Sequence, residues 1–356
     1  MTTSPSTLFE KVAAAQDKLI AWWEHADMAT PCLLLHGPAV NAAPIPQTDD
    51  LEQFWWDIDW GLEYAMRRIE NRAYYGVALP FHWPDWGAST FNGVLGARMQ
   101  MVGKETFWSY PICERLEDVL EVEVNPDNRF YRTVMEMTRR SAAISYGHHF
   151  VACYPIVGIG DILAGLYGSE ELMVAMIEQP AAVKRAMQHI LELWMREFDA
   201  TQRIIESAGN PGNINWMSIW APGRTCATQE DLAYMLSPQM FREFCLPPLV
   251  ELINWLEYPM YHLDGPGSIR HVDTLLNISR LRAIQWVPGA GREAIAQWYP
   301  LIRHILEGKK SVQVFARYDE IDDLVAAVGS RGLLIDCGGL TPEQAEDLLE
   351  RYPQNV

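Results

Sequence analysis

Residues suited to proton or metal chemistry fall where strand-like runs stop. His262 and Asp264 close the apolar run that starts at Tyr258, just before Gly265-Pro266-Gly267, a turn sequence that a strand cannot continue through. Being two positions apart, they project to the same side of an extended chain. The next run, Ala283 to Val287, carries Trp286 and ends in Pro288-Gly289-Ala290-Gly291. A later run ends in Asp336-Cys337-Gly338-Gly339 and brings a thiol to the same set. Catalytic side chains gather at the carboxyl edge of a parallel α/β sheet, so these residues are expected around one cavity.

Two chemistries are open to that set. Zinc favours Cys and His, and a catalytic zinc takes three protein ligands while leaving a position for water or substrate, which makes His262 and Cys337 candidate ligands and leaves the third open. A thiol or water bound there would be ionised near neutral pH. Without metal, His262 serves as general acid or base beside Asp264, protonating a leaving oxygen. Asp161, after a Gly-rich strand end at 157–160, either faces the same pocket or caps the helix that follows it, and Asp231 has the same two readings. His82 and Trp86 lie in FHWPDWGAST, too rich in Pro, Gly and Trp for regular structure and suited to a pocket wall; Trp220 follows another strand-like run. His148 and His149 precede a strand and so sit at its wrong end. The GPG and GAG pieces, with Arg292 beside the second, are read as loop geometry or as an anion cradle, and they lack the spacing of nucleotide-binding motifs.

The elements that must hold these residues show a regular cadence. Strand-like runs at 259–263, 283–287, 311–315 and 332–336 alternate with helical patterns, and earlier runs lie at 75–80, 150–156 and 213–219. That makes seven strands, with the eighth among 31–36 or 94–111, where an insertion with its own short strands is equally expected. The economical fold is an α/β, eight-stranded (β/α) TIM barrel over 71–356 with insertions, carrying an N-terminal helical extension over 1–70; an open doubly wound sheet is the alternative. The strands ending near Leu263, Val287, Ala316 and Asp336 should be adjacent and parallel. Residues 180–208 form an amphipathic helix with Val183, Met187, Ile190, Trp194, Phe198 and Ile205 on one stripe, and Thr341 with Gln344 caps the last helix. The aromatic periodicity of 51–69 marks a core face or a homodimer face.

Composition narrows the partners. A formal charge of −18, from 28 basic against 46 acidic side chains, opposes nucleic-acid binding. No apolar run is long enough to span a bilayer, and the N-terminal stretch lacks signal-peptide features, so a cytoplasmic protein is expected. The six cysteines lack CxxC spacing and read as thiols.

HLDGPG at 262–267, followed by IQWVPGAG at 284–291, resembles the uroporphyrinogen decarboxylase-like superfamily, and DLAYMLSPQMFREFCLPPLVELI at 231–253 is similar to the segment preceding that strand there. The resemblance covers the C-terminal half and implies a barrel enzyme, either a decarboxylase or a corrinoid-linked methyltransferase. Its zinc methyltransferases use a His-x-Cys pair and a later Cys; Asp264 stands here in place of the middle Cys. The arginine-bearing N-terminal motif of the decarboxylases has no counterpart. The resemblance therefore implies methyl transfer between a small methylated substrate and a corrinoid (cobalamin) carried by a partner protein; the many aromatic residues point to an apolar or aromatic methyl ether as that substrate, or else belong to the core. The alternatives are decarboxylation of a carboxylated aromatic substrate, or small-molecule binding without turnover.

Overall fold

A computed structural model describes residues 5–156, 158–289 and 294–354. Gly291 and Arg292 of the expected anion loop lie outside the described residues. The strands in chain order are β1 (Cys32–Pro38), β2 (Arg72–Gly76), β3 (Phe81–His82), β4 (Arg98–Val102), β5 (Thr106–Tyr110), β6 (Phe150–Val151), β7 (Asn213–Ile214), β8 (Trp220–Ala221), β9 (Thr225–Thr228), β10 (Tyr258–Asp264), β11 (Ala283–Val287), β12 (Ser311–Phe315) and β13 (Leu333–Cys337). The central sheet runs β2-β1-β13-β12-β11-β10-β9, with every pairing parallel except β1 with β2. The four strands with the clearest cadence, β10 to β13, are neighbours in sequence order, as expected.

The sheet is open, which corrects the closed eight-stranded barrel. The first strand does lie beside the last, Cys32 opposite Leu334 and Leu34 opposite Asp336. The ring is interrupted on both sides of the short parallel pair β3·β6, which forms a separate two-stranded sheet. On one side the outer edge of β1 is already filled by antiparallel β2, so β3 has no ladder to join. On the other, 213–219 is not a parallel strand: β7 and β8 form a small antiparallel hairpin. Its turn places Ser218 at φ 65°, and Asn215 Oδ1 accepts from Met217 and Ile219 N–H at 3.0 and 3.2 Å. The strand that pairs with β10 is Thr225–Thr228 instead. Residues 98–110 form a separate hairpin, β4·β5, and the sheet strand in question is β1, which falls inside the 1–70 segment.

Alternation along the parallel strands gives two apolar layers. Cys32, Leu34, Met260, Ala283 and Leu334 pack with Trp22 and Trp23 of the helix Pro5–Trp23. That helix covers the amino-end region of β12, where Ser311 Oγ donates to Trp22 O at 2.5 Å, and Trp23 Nε1 donates to Trp220 O at 2.9 Å. The other face, including Leu33, Leu35, Leu263, Ile284, Val314 and Ile335, packs into the larger core formed with the surrounding helices. The helix Pro180–Glu206 buries all six residues of its expected stripe, and Thr341 and Gln344 make the expected reciprocal cap. No described helix is long and apolar enough to cross a membrane.

Candidate functional site

Register places a polar row across buried strands: His262 of β10 lies opposite Gln285 of β11, which lies opposite Gln313 of β12. Both glutamines are fully buried, where apolar side chains would otherwise pack. Gln313 Nε2 donates to Met217 O at 3.2 Å, and Gln285 Nε2 donates to Trp286 O at 3.4 Å. The carbonyl oxygen of Gln285 is thereby turned to His262 Nδ1, with which it makes a hydrogen bond. An amide oxygen only accepts, so Nδ1 carries the hydrogen and Nε2 is left to exchange a proton. The Trp216 ring packs edge-on against the imidazole at 5.0 Å, and its Nε1 donates to Ala227 O at 2.7 Å.

Acids surround this histidine. Asp264 ends β10, and Gly265 turns the chain away at φ 71°, a conformation that favours glycine. Asp231 lies within electrostatic reach of both: burial raises its carboxyl pKa, His262 pulls it down and Asp264 pushes it up again. Behind them two carboxylates cap each other's segments. Glu230 accepts from the N–H groups of Ile159 and Gly160, at 2.9 and 3.0 Å, at the start of the helix Ile159–Tyr167. Asp161 of that helix accepts from Asp231 and Leu232 N–H at 2.8 and 2.6 Å, holding the helical turn Asp231–Met235. Burial, then the nearby Asp231, raises Asp161 to about 7, and burial together with Asp161 raises Glu230 well above its usual range. Asp161 thus holds the segment containing Asp231 and also bonds the backbone of Gly158, the N-cap of its own helix.

The remaining predicted residues divide among three other places. Trp286 and Cys337 sit on the helix-facing side of their strands, opposite to the row that holds His262. Trp286 packs edge-on against Trp298 at 4.9 Å; burial, then Asp336, raises the Cys337 thiol to about 11. Zinc therefore does not fit His262, Asp264 and Cys337 as a three-ligand site, because a one-residue step in a strand reverses the face and sends the sulfur into the core. Among the described residues no group of three or more His, Cys, Asp or Glu is placed to hold a metal ion. Asp336 takes the position expected for Cys337: it faces His36 of β1, Nε2 to Oδ1 3.4 Å, beside Gly338, where a Cβ would collide with the imidazole. His36 was missed, though it ends an apolar run in Gly-Pro much as His262 ends one in Asp-Gly-Pro. Trp220 is buried beneath the helix Pro5–Trp23.

His82 and Trp86 line a cleft of about 370 Å³ formed by the helices Leu51–Trp56 and Ile58–Glu70, the loop after β3 and the β4–β5 turn. Trp83 belongs to both regions, lining the cleft while its ring lies 5.4 Å from Trp216. The cleft thus meets the His262 row across one pair of indoles. Asp85 in its wall is pushed up to about 6 by burial, against the hydrogen bonds of Gly87 and Thr90. His82 begins a chain of hydrogen bonds: Nδ1 to Ser141 Oγ 2.9 Å, Ser141 Oγ to His149 Nε2 3.0 Å, and His149 Nδ1 to His148 Nδ1 2.9 Å. Burial lowers the pKa of His82 to about 4 and that of His149 well below its usual value. The two histidines expected at the wrong end of β6 therefore connect to the cleft through Ser141.

No family model and no curated protein matches the sequence. Among solved structures, the chain is similar to a methyltransferase from Methanosarcina mazei, with a TM-score of 0.60 and 12% identity over 94% of this chain and 96% of that one. The two share a fold. The likeness spans the N-terminal half, where the sequence carried little signal, as well as the strands around His262.

Proposed function

We propose that the chain is a methyltransferase of the uroporphyrinogen decarboxylase-like superfamily that moves a methyl group from a small methylated substrate, an aromatic methyl ether, to a corrinoid carried by a partner protein. The observation that carries this reading is His262 near the carboxyl end of a parallel strand, oriented by Gln285 and flanked by Asp231 and Asp264, within a fold shared with a methyltransferase. The corrinoid, when bound, supplies the nucleophile that accepts the methyl group. The chain's own task is at the oxygen: as the carbon–oxygen bond breaks, its electron pair stays on oxygen, and His262 Nε2 delivers the proton that makes it a neutral hydroxyl. Gln285 keeps Nδ1 protonated throughout. No step is routed through zinc.

The test is a methylation assay with reduced free cobalamin and a panel of aryl methyl ethers, read by the cobalamin absorbance. Donor-dependent methylation that requires the protein is expected. Release of carbon dioxide from a carboxylated aromatic substrate, with no methylation, would replace this reading with a decarboxylase.

A further inference from the structure

The cleft beside the His262 row carries a ligand signature of its own. On the helix Ile58–Glu70, Trp60, Tyr64 and Arg68 lie four residues apart and so share one face. The Trp60 and Tyr64 rings stack at 5.1 Å and 13°, and the Arg68 guanidinium lies 5.5 Å from the centre of the Tyr64 ring. Gly61 and Ala65 lie next to them on the cleft lining, and a Cβ at Gly61 would meet the Met137 side chain, which also lines the cleft. That loop is fixed in advance: Trp86 Nε1 donates to Trp55 O at 2.6 Å, Trp86 N donates to Thr90 Oγ1 at 3.1 Å, and Asp85 accepts from Gly87 N at 2.9 Å. A preformed cleft walled by indoles and a phenol suits a flat ring.

Its charge is the second observation. Arg67, which is not among the residues lining the cleft, pairs with Glu70 at 3.0 Å. Arg68 and Arg72, which line the cleft, have no carboxylate partner among the described residues, although acids outnumber bases 46 to 28. Their charge reaches into the cleft, because Arg68 helps to lower His82 and both arginines act on the Tyr74 hydroxyl. The acids of the lining are Asp85, engaged by its own loop, and Glu105 on the β4–β5 turn. Unpaired guanidiniums beside a flat apolar slot match a planar carboxylate, to which arginine offers two parallel donors.

We propose that this cleft binds a monocyclic aromatic carboxylate, its ring between the helix Ile58–Glu70 and the Trp83–Trp86 wall and its carboxylate at Arg68 and Arg72. A one-ring acid is in proportion to a cavity of about 370 Å³. The identification of this ligand as methyl donor, a methoxybenzoate, rests on the methyl-transfer reading; its binding does not.

The experiment is equilibrium titration of the whole chain, by tryptophan fluorescence and calorimetry, with 4-methoxybenzoate, neutral 4-methoxytoluene and glycine betaine. The carboxylate should bind one per chain, and the neutral ether at least about 10-fold more weakly. Arg68→Met and Arg72→Met should each weaken the carboxylate by about 10-fold or more, with unchanged melting temperature because both side chains are exposed. His262→Ala should leave this affinity unchanged. Equal affinity for the neutral ether, indifference to both arginine substitutions, preference for the betaine, or no binding of 4-methoxybenzoate would each overturn the proposal. Binding as expected without any methyl transfer would uphold it and remove the proposed function. Methyl transfer with affinities indifferent to Arg68 and Arg72 would do the reverse.

Discussion

Replacing Asp161 with alanine separates a structural from a chemical role for the acid cluster behind His262. Its two oxygens accept from the N–H groups of Asp231 and Leu232, at 2.8 and 2.6 Å, beside the capped start of the helix Ile159–Tyr167. Alanine leaves both donors without a partner. The Asp231 N–H sits at an exposed residue, so the loss rests mainly on the more sheltered Leu232 N–H and is about 1–3 kcal/mol. The loss also depends on pH. Asp161 keeps its proton to about 7 when folded, against 3.8 ordinarily, so the folded state binds the extra proton between those values. The stability it contributes is complete below the unfolded value and falls as pH rises through about 7. The difference between wild type and Asp161→Ala, measured by urea unfolding, should therefore be larger at pH 5 than at pH 8. A variant within about 0.5 kcal/mol of wild type at both pH values, yet inactive, would refute the capping account and make Asp161 a chemical residue.

Three other outcomes follow from the geometry. Ser141→Ala removes the hydroxyl between His82 Nδ1 and His149 Nε2, and should cost about 1–3 kcal/mol by chemical unfolding; an unchanged midpoint would mean that this chain of hydrogen bonds adds nothing. Gln285→Leu keeps a buried side chain of similar size but takes the acceptor from His262 Nδ1, so turnover should drop about 10-fold or more with an altered pH–rate profile and the fold intact. Cys337→Ser buries a hydroxyl in an apolar layer and should cost about 1–3 kcal/mol without changing the zinc content of the pure protein; loss of one zinc per chain would contradict the placement of the sulfur.

What was legible in the sequence were features set locally. Turn residues mark the ends of β10 and β11, the 3.6-residue period marks the helix Pro180–Glu206, and Thr341 with Gln344 marks the final cap. What was not legible depends on pairing. Whether Asp336 or Cys337 shares a face with His262 is one residue of register, fixed by the partners of β13 in β1 and β12. The short strand Thr225–Thr228 lacks the length that would announce it, whereas 213–219 reads as a strand until Asn215 folds it into a turn. Closure failed because β2 returns antiparallel along β1, a choice made by tertiary contact. The cleft joins residues from Phe54 to Met137, and no local pattern connects the Trp60–Tyr64–Arg68 face with the loop after β3. The loop composition around His82 and Trp86 marks a pocket wall, and both line the cleft; His36, ending an apolar run before Gly-Pro, carries a signal of the same kind as His262.

The central claim is that His262 handles the proton in methyl transfer, and its most direct measurement is single-turnover methylation of reduced cobalamin by wild type and His262→Ala with the best methyl ether of the panel. The account predicts a rate lower by about 100-fold or more in the variant, with unaltered circular dichroism and unaltered affinity for the ether. A variant that methylates cobalamin at close to the wild-type rate would contradict it.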